Sequence, residues 1–195
     1  VVLTLAVAVG LAAGLGWARW RHQTYRPPEL RHLWLVFAAF LPQFVVLHLP
    51  FARQSSPDWL VAVLLIVSQV ALLIFVWLNR VVAGALLLLC GVFFNLAVMT
   101  ANGGFMPISP QTASRLVSED KLEDVDIGSR FGSKDILLHP RETRLEWLAD
   151  RFLPPYWFPY QVAFSLGDVF IALGVFWLLA NPGLNIQFAQ RGISI

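Results

Sequence analysis

Charge is scarce in this chain. Asp, Glu, Lys and Arg make up 13% of its 195 residues, about half the share usual in a soluble domain. That deficit excludes a disordered chain, a nucleic-acid-binding domain and an ordinary cytosolic enzyme. Cysteine is scarcer still. The one thiol, Cys90, permits no intramolecular disulfide and no cysteine-built zinc or iron–sulfur centre. Its place in an apolar run reads as a small lipid- or helix-facing hydrophobe. The sequence starts Val1-Val2 without an initiator Met, so its first residues read as processed or not included. No basic stretch precedes the first apolar segment, whereas Arg19 and Arg21 follow it. A stop-transfer flank is therefore expected there rather than a cleaved signal peptide. No internal repeat is evident, although an inverted-repeat transporter would need one.

What the chain has instead is apolar bulk: 57% hydrophobic residues, with 8 Trp and 15 Phe. A bilayer-spanning helix needs about 20 mostly apolar residues. Stretches at about 1–18, 33–51, 59–78, 81–101 and 161–180 qualify. The expected fold class is an all-α membrane protein, a five-helix transmembrane bundle. Residues 102–160 form an extracytoplasmic segment with short amphipathic helices, and 181–195 a cytoplasmic tail. Sidedness follows from the basic residues of the short connections. Arg19, Arg21, Arg26, Arg31, Arg80 and Arg191 fall on one side, and only Arg53 in the short connection on the other. The N-terminus is thus expected outside and the C-terminus in the cytoplasm. The long outer segment carries seven Lys/Arg against nine Asp/Glu, which suits that side. Trp17, Trp20, Trp34, Trp59, Trp77, Trp157 and Trp177 fall near the expected span ends, as interfacial anchors do.

Packing faces are legible in two spans. Ala6, Gly10 and Gly14 recur every four residues, as do Ala8, Ala12 and Gly16. Gly84, Gly91, Asn95 and Asn102 share one face of the fourth span. Small residues at such spacing let helix backbones approach closely in lipid, and internal bundle packing is the reading adopted. In the outer segment, Asn102-Gly103-Gly104 reads as a helix C-cap and turn. Pro107 and Pro110 prevent the helix resuming, and Ser109 or Thr112 is expected to cap a short helix reaching Leu122. Leu145, Trp147, Leu148 and Phe152, among Arg144, Glu146, Asp150 and Arg151, predict an amphipathic interfacial helix over 141–152.

A resemblance joins these pieces. Asn95 in its span is followed by Ala101-Asn102-Gly103-Gly104-Phe105-Met106-Pro107-Ile108-Ser109. Further on come Ser133-Lys134-Asp135-Ile136-Leu137-Leu138, Arg144-Leu145-Glu146-Trp147-Leu148-Ala149-Asp150, and Phe164-Ser165-Leu166-Gly167-Asp168-Val169. This pattern resembles an uncharacterised family of small bacterial multispan membrane proteins, domain of unknown function 5317, over nearly the whole chain. Its most specific parts are the Asn-Gly-Gly-x-Met-Pro and Ser-Leu-Gly-Asp elements. The resemblance implies a bacterial inner-membrane location and a similar helix count, and it carries over no activity and no catalytic residue. The acidic stretch from Glu119 to Asp126 is longer than the resemblance leads one to expect.

Few residues suggest chemistry. Asp168 is the one carboxylate within an expected span, in polar company with Gln161 and Ser165, and an intramembrane charge is a functional candidate by default. The expected role is structural: Asp168 near the outer interface accepts hydrogen bonds from the Asn102-Gly103-Gly104 loop and staples it to the bundle. His48, two residues before Pro50, is the one in-span histidine. It would be the only residue to consider for haem or a chlorophyll magnesium, and an interfacial polar anchor is the reading adopted. No metal or other cofactor is expected, though a bound lipid or pigment is compatible. Asp124-x-Asp126-x-Gly128 resembles the start of a calcium loop, but the glycine falls one place early and Asp135 stands where such a loop has Glu. Ser133 with Lys134 or His139 makes no specific nucleophile–base pair.

The function expected is therefore a non-catalytic integral-membrane accessory or assembly subunit of a larger bacterial membrane complex. Candidate hosts are respiratory or photosynthetic, and the expected partners are the bilayer and other membrane subunits, without nucleic acid. The alternative is a small transporter or channel lined by Asp168, Asn95 and Gln43 or Gln69. Asn95, Asn102, Gly103, Gly104, Pro107, Ser165 and Asp168 are the candidate structural or functional residues.

Overall fold

The structure, a computed structural model, describes residues 2–49, 56–118, 122 and 125–181. It is mostly helical. Four apolar helices come first: α1 (Val2–Trp20), α2 (Trp34–His48), α3 (Asp58–Leu78) and α4 (Ala85–Ala101). A cap follows, containing β1 (Met106–Ile108), the single-turn α5 (Pro110–Ala113), β2 (Arg130–Phe131) and β3 (Asp135–Leu137). The last described helix is α6 (Leu166–Ala180). Among the described helices, α1 and α3 are long and apolar enough to cross a membrane, while α2, α4 and α6 are apolar but shorter.

Packing runs in the order α1–α6–α4–α3–α2, so α1 and α2, neighbours in sequence, stand at the two ends of the row. The 21–33 connection between them passes along the ends of α6 and α3. Tyr25 Oη donates to the Leu179 carbonyl at 3.1 Å, and the Asn79 side-chain amide pairs with the Arg31 backbone N–H and C=O at 2.8 and 3.0 Å. The small-residue face of α1 at Gly10, Gly14 and Ala18 is buried. A Cβ at Gly10 would stand 3.1 Å from the Phe176 backbone of α6, whereas Gly16 on the other small face has nothing within 4 Å. Gly84, just before α4, and Gly91 within it lie against Gly174 and Gly167 of α6, with space for a Cβ at none of them. The two backbones touch. Gly167 and Gly174, seven residues apart, supply the half of this contact that the reading of α4 alone leaves out.

The cap departs from the all-α expectation. It holds a three-stranded sheet of order β1-β3-β2, with β1 and β3 parallel in the register Met106↔Asp135, Pro107↔Ile136 and Ile108↔Leu137. Strands this short carry no readable alternation, and the parallel pair joins segments far apart in sequence. The 141–152 stretch is not a helix. It contains one 3-10 turn at Glu146–Leu148, preceded by Leu145 in the left-handed conformation (φ 55°). Asp150 then runs parallel beside Ile108, and Phe152 pairs with Phe164. Of its large apolar side chains Leu148 is buried, whereas Leu145, Trp147 and Phe152 are exposed. Leu148, Met106 and Phe105 join Val61, Leu65, Val98 and Met99 in one apolar core, so cap and helices are continuous. Ile108, Ala113, Phe131 and Leu137 form a second core inside the cap. Ser109 does cap α5, accepting from the Thr112 N–H at 3.2 Å, but the helix ends at Ala113 instead of reaching Leu122.

Candidate functional site

Where the cap meets α4 and α6, polar side chains gather in a seam. Ser165 and Asp168 form a capping box at the start of α6: Ser165 Oγ accepts from the Asp168 N–H at 3.0 Å, and Asp168 Oδ2 accepts from the Ser165 N–H at 3.1 Å. This is the reciprocal solution for helix N-terminal donors, and it favours a carboxylate at the positive end of the helix. Asn95, on α4, closes the circuit. Its Nδ2 donates to Asp168 Oδ1 at 3.0 Å, and its Oδ1 accepts from Ser165 Oγ at 2.9 Å. Asn95 and Ser165 are buried, Ser165 fully.

The expected staple therefore needs correction. Asp168 binds Asn95 and the Ser165 backbone of its own cap, not the Asn102-Gly103-Gly104 loop. Asn102 holds the outer segment itself. Its side-chain amide donates to the Arg144 carbonyl at 2.8 Å and accepts from the Arg144 N–H at 3.0 Å, while also donating to the Val98 carbonyl. Asn79 does the same at the end of α3, binding Arg31 and the Phe75 carbonyl. Each helix ends on an asparagine that clamps a distant strand of chain. Gly103 and Gly104 follow in left-handed conformations, and Gly104 approaches Ala62 of α3 so closely that a Cβ would meet its side chain at 2.6 Å. Pro107 lies buried in β1, and its carbonyl accepts from the Asp150 N–H at 3.0 Å.

The seam holds three charged residues that sequence reasoning passed over as site members. Lys134 Nζ lies 2.7 Å from Asp150 Oδ2 and 3.5 Å from Asp135 Oδ1. The Asp150 side chain is 1% exposed, and its Oδ1 has no hydrogen-bond partner among the described residues. Burial pushes Asp135 up to about 6 against the pull of Lys134, with Asp150 and Asp168 adding to the push. Asp150 is raised for the same reason, burial outweighing Lys134. Burial lowers Lys134, but the carboxylates Asp135, Asp150 and Asp168 overrule it and hold the ammonium charged. The missed signal was the adjacency of Lys134 and Asp135 in a segment otherwise rich in Ile and Leu. Asp150 gave none, since it matched the polar face of the helix expected there.

The remaining candidates lie apart. Gln43 of α2 donates to Ser68 of α3, far along the row from Asp168. Gln69 has a buried side-chain oxygen without a partner among the described residues. His48 stacks on Phe44 with ring centroids 4.9 Å apart. Of the calcium-like pattern, Asp124 lies outside the described residues, and Gly128 occupies a turn at φ 88°. Among the described residues no three His, Cys, Asp or Glu side chains converge to hold a metal ion.

No curated protein and no solved structure matches the chain. Residues 28–180, well over half of the sequence and reaching from the 21–33 connection to the end of α6, match a family model whose description is a family of unknown function. The chain belongs to the DUF5317 family.

Proposed function

We propose that this protein is a multispan protein of the bacterial cytoplasmic membrane and a non-catalytic accessory or assembly subunit of a larger membrane complex. All five apolar helices span in this reading, with the start of α1 and the cap on the same, outer side of the bilayer. The shorter helices reach across by adding their capped flanks and by local bilayer thinning. The observation that carries the accessory reading is the closed hydrogen-bond circuit of Asn95, Ser165 and Asp168. A transport path needs polar groups free to exchange partners, and these three spend their capacity on one another. Gln43 and Ser68 sit between a different pair of helices, so the polar residues form separate islands.

The surface assigned to a partner in this reading lies at the α2 end of the row. Helix α2 packs on α3 alone among the described helices in substantial contact and exposes Phe37, Phe40, Leu41 and Phe44. Aromatic faces of this kind supply the anchors of protein interfaces. The test is purification in mild detergent with a photo-reactive residue at Phe40. One crosslinked membrane protein, co-purifying at fixed stoichiometry, is the expected result. Lipid-only adducts together with an Asp168-dependent ion flux in vesicles would overturn the accessory reading in favour of a transporter.

A further inference from the structure

At the helix ends opposite the cap, a cavity of about 690 Å³ is lined by Leu15, Ala18, Arg19, His22, Gln23 and Tyr25. Its walls are the last turn of α1 and the start of the 21–33 connection, with Tyr25 tying that connection to the end of α6. The end of a helix normally offers carbonyl oxygens, which repel anions. Here three of those oxygens, on Trp17, Ala18 and Arg19, are occupied. The Gln23 N–H bonds to the Ala18 carbonyl at 2.9 Å, the His22 N–H to the Arg19 carbonyl at 3.1 Å, and the Arg21 N–H to the Trp17 carbonyl at 3.0 Å. This is a Schellman cap with His22 at the left-handed position (φ 54°) that glycine usually fills. Tyr25 Oη occupies the Leu179 carbonyl.

With the acceptors capped, the cavity keeps donors: the Arg19 guanidinium, the His22 ring and the Gln23 amide. Among the described residues Arg19 has no carboxylate partner within ion-pair distance, whereas Arg21 is engaged over the Trp17 ring at 4.7 Å. Across residues 19–31 the basic Arg19, Arg21, Arg26 and Arg31 face one acid, Glu29. Trp17 and Trp20, exposed on the same last turns of α1, are placed as aromatic residues are at headgroup depth. We propose that this cavity binds the phosphodiester headgroup of an anionic phospholipid from the cytoplasmic leaflet, with Arg19, His22 and Gln23 as its donors. Basic pockets at the cytoplasmic ends of membrane helices are suited to such headgroups. The apolar Leu15 and Ala18 below the donors face the first carbons of the acyl chains. The site rests on the membrane-spanning reading above.

The experiment uses the full chain in phosphatidylcholine nanodiscs doped with phosphatidylglycerol, released and weighed intact by native mass spectrometry. Phosphatidylglycerol is expected to be retained about tenfold over phosphatidylcholine, and Arg19→Gln to cut that preference about five-fold. His22→Gly is the companion variant. Glycine suits the left-handed position, so the helix end stays capped and thermal stability is kept or raised while the ring donor is lost and retention falls. Equal retention of the two lipids, or retention unchanged in both variants, overturns the site. Displacement of the lipid by millimolar inorganic phosphate, with equal thermal stabilisation, would assign the cavity to a soluble phosphate and overturn the lipid. Release of the chain from membranes by alkaline carbonate would overturn the spanning reading as well, whereas firm retention without lipid preference overturns this site alone.

Discussion

Asp168 shows how one side chain can close both a helix end and a helix–helix contact. Its two oxygens accept from different elements, Asn95 Nδ2 on α4 and the Ser165 N–H before α6. Asp168→Asn keeps one carbonyl oxygen but turns an amino group toward one of those donors. The cost expected is on the order of 1–3 kcal/mol, the worth of a charge-assisted bond. Asp168→Leu strands both donors in a buried seam and should cost more, because each unpaired buried group carries its own desolvation penalty. Thermal melting in detergent should therefore rank wild type above Asn and Asn above Leu. A Leu variant as stable as the Asn variant would show that the circuit contributes little to cohesion. Much of this circuit was legible from residue identity: Asn95, Ser165 and Asp168 are polar in apolar stretches, and such groups must find partners. The pairing with Asn95 was not legible, since it depends on the α4–α6 crossing at Gly91 and Gly167.

At the scale of elements, the long apolar helices follow from hydropathy alone, and their ends fall within a few residues of expectation for α1, α3 and α4. The cap does not follow. Leu145, Leu148 and Phe152 have helical spacing, yet Asn102 holds the Arg144 backbone and Leu145 turns left-handed. A tertiary clamp overrides the local period. The cap is also where pH should be felt. Asp135 lies above its ordinary 3.8 at about 6 in the folded chain, so the folded state holds a proton that the unfolded state has released. Its contribution is fully present below about 4 and is lost as pH rises to about 6, a change on the order of 3 kcal/mol at most. Asp150, also raised, acts in the same direction. Lys134 is raised and stays charged throughout this window, so it cancels none of the effect. Hydrogen exchange at the Met106 and Asp150 amides, corrected for intrinsic rates, should be slower at pH 5 than at pH 7.5. Asp135→Asn should flatten that difference. Protection that rises with pH would contradict the assignment of a buried, proton-holding acid.

For the whole molecule, the charged cap sits at the end of α4 and the start of α6, and the basic 21–33 connection runs along the opposite helix ends, at Leu179 of α6 and Asn79 after α3. By sequence, residues 102–160 carry nine Asp/Glu against seven Lys/Arg, whereas Arg19, Arg21, Arg26, Arg31 and Arg80 fall in the connections at the opposite helix ends. Basic residues are retained in the cytoplasm during insertion, so this polarity predicts the cap outside. Ser114 in the cap and Thr24 in the connection are both exposed and suit a labelling test. After Cys90→Ala removes the native thiol, Ser114→Cys should react with a membrane-impermeant maleimide in intact cells, and Thr24→Cys only after lysis. The two reporters stand at opposite ends of helices that share one packed row, so they must respond oppositely if the row spans the bilayer. Reaction at Thr24→Cys with protection at Ser114→Cys would invert the topology while leaving the spanning row intact. Reaction at both positions in intact cells would show that the row does not separate two compartments, and the apolar helices would then have to be covered by protein instead of lipid.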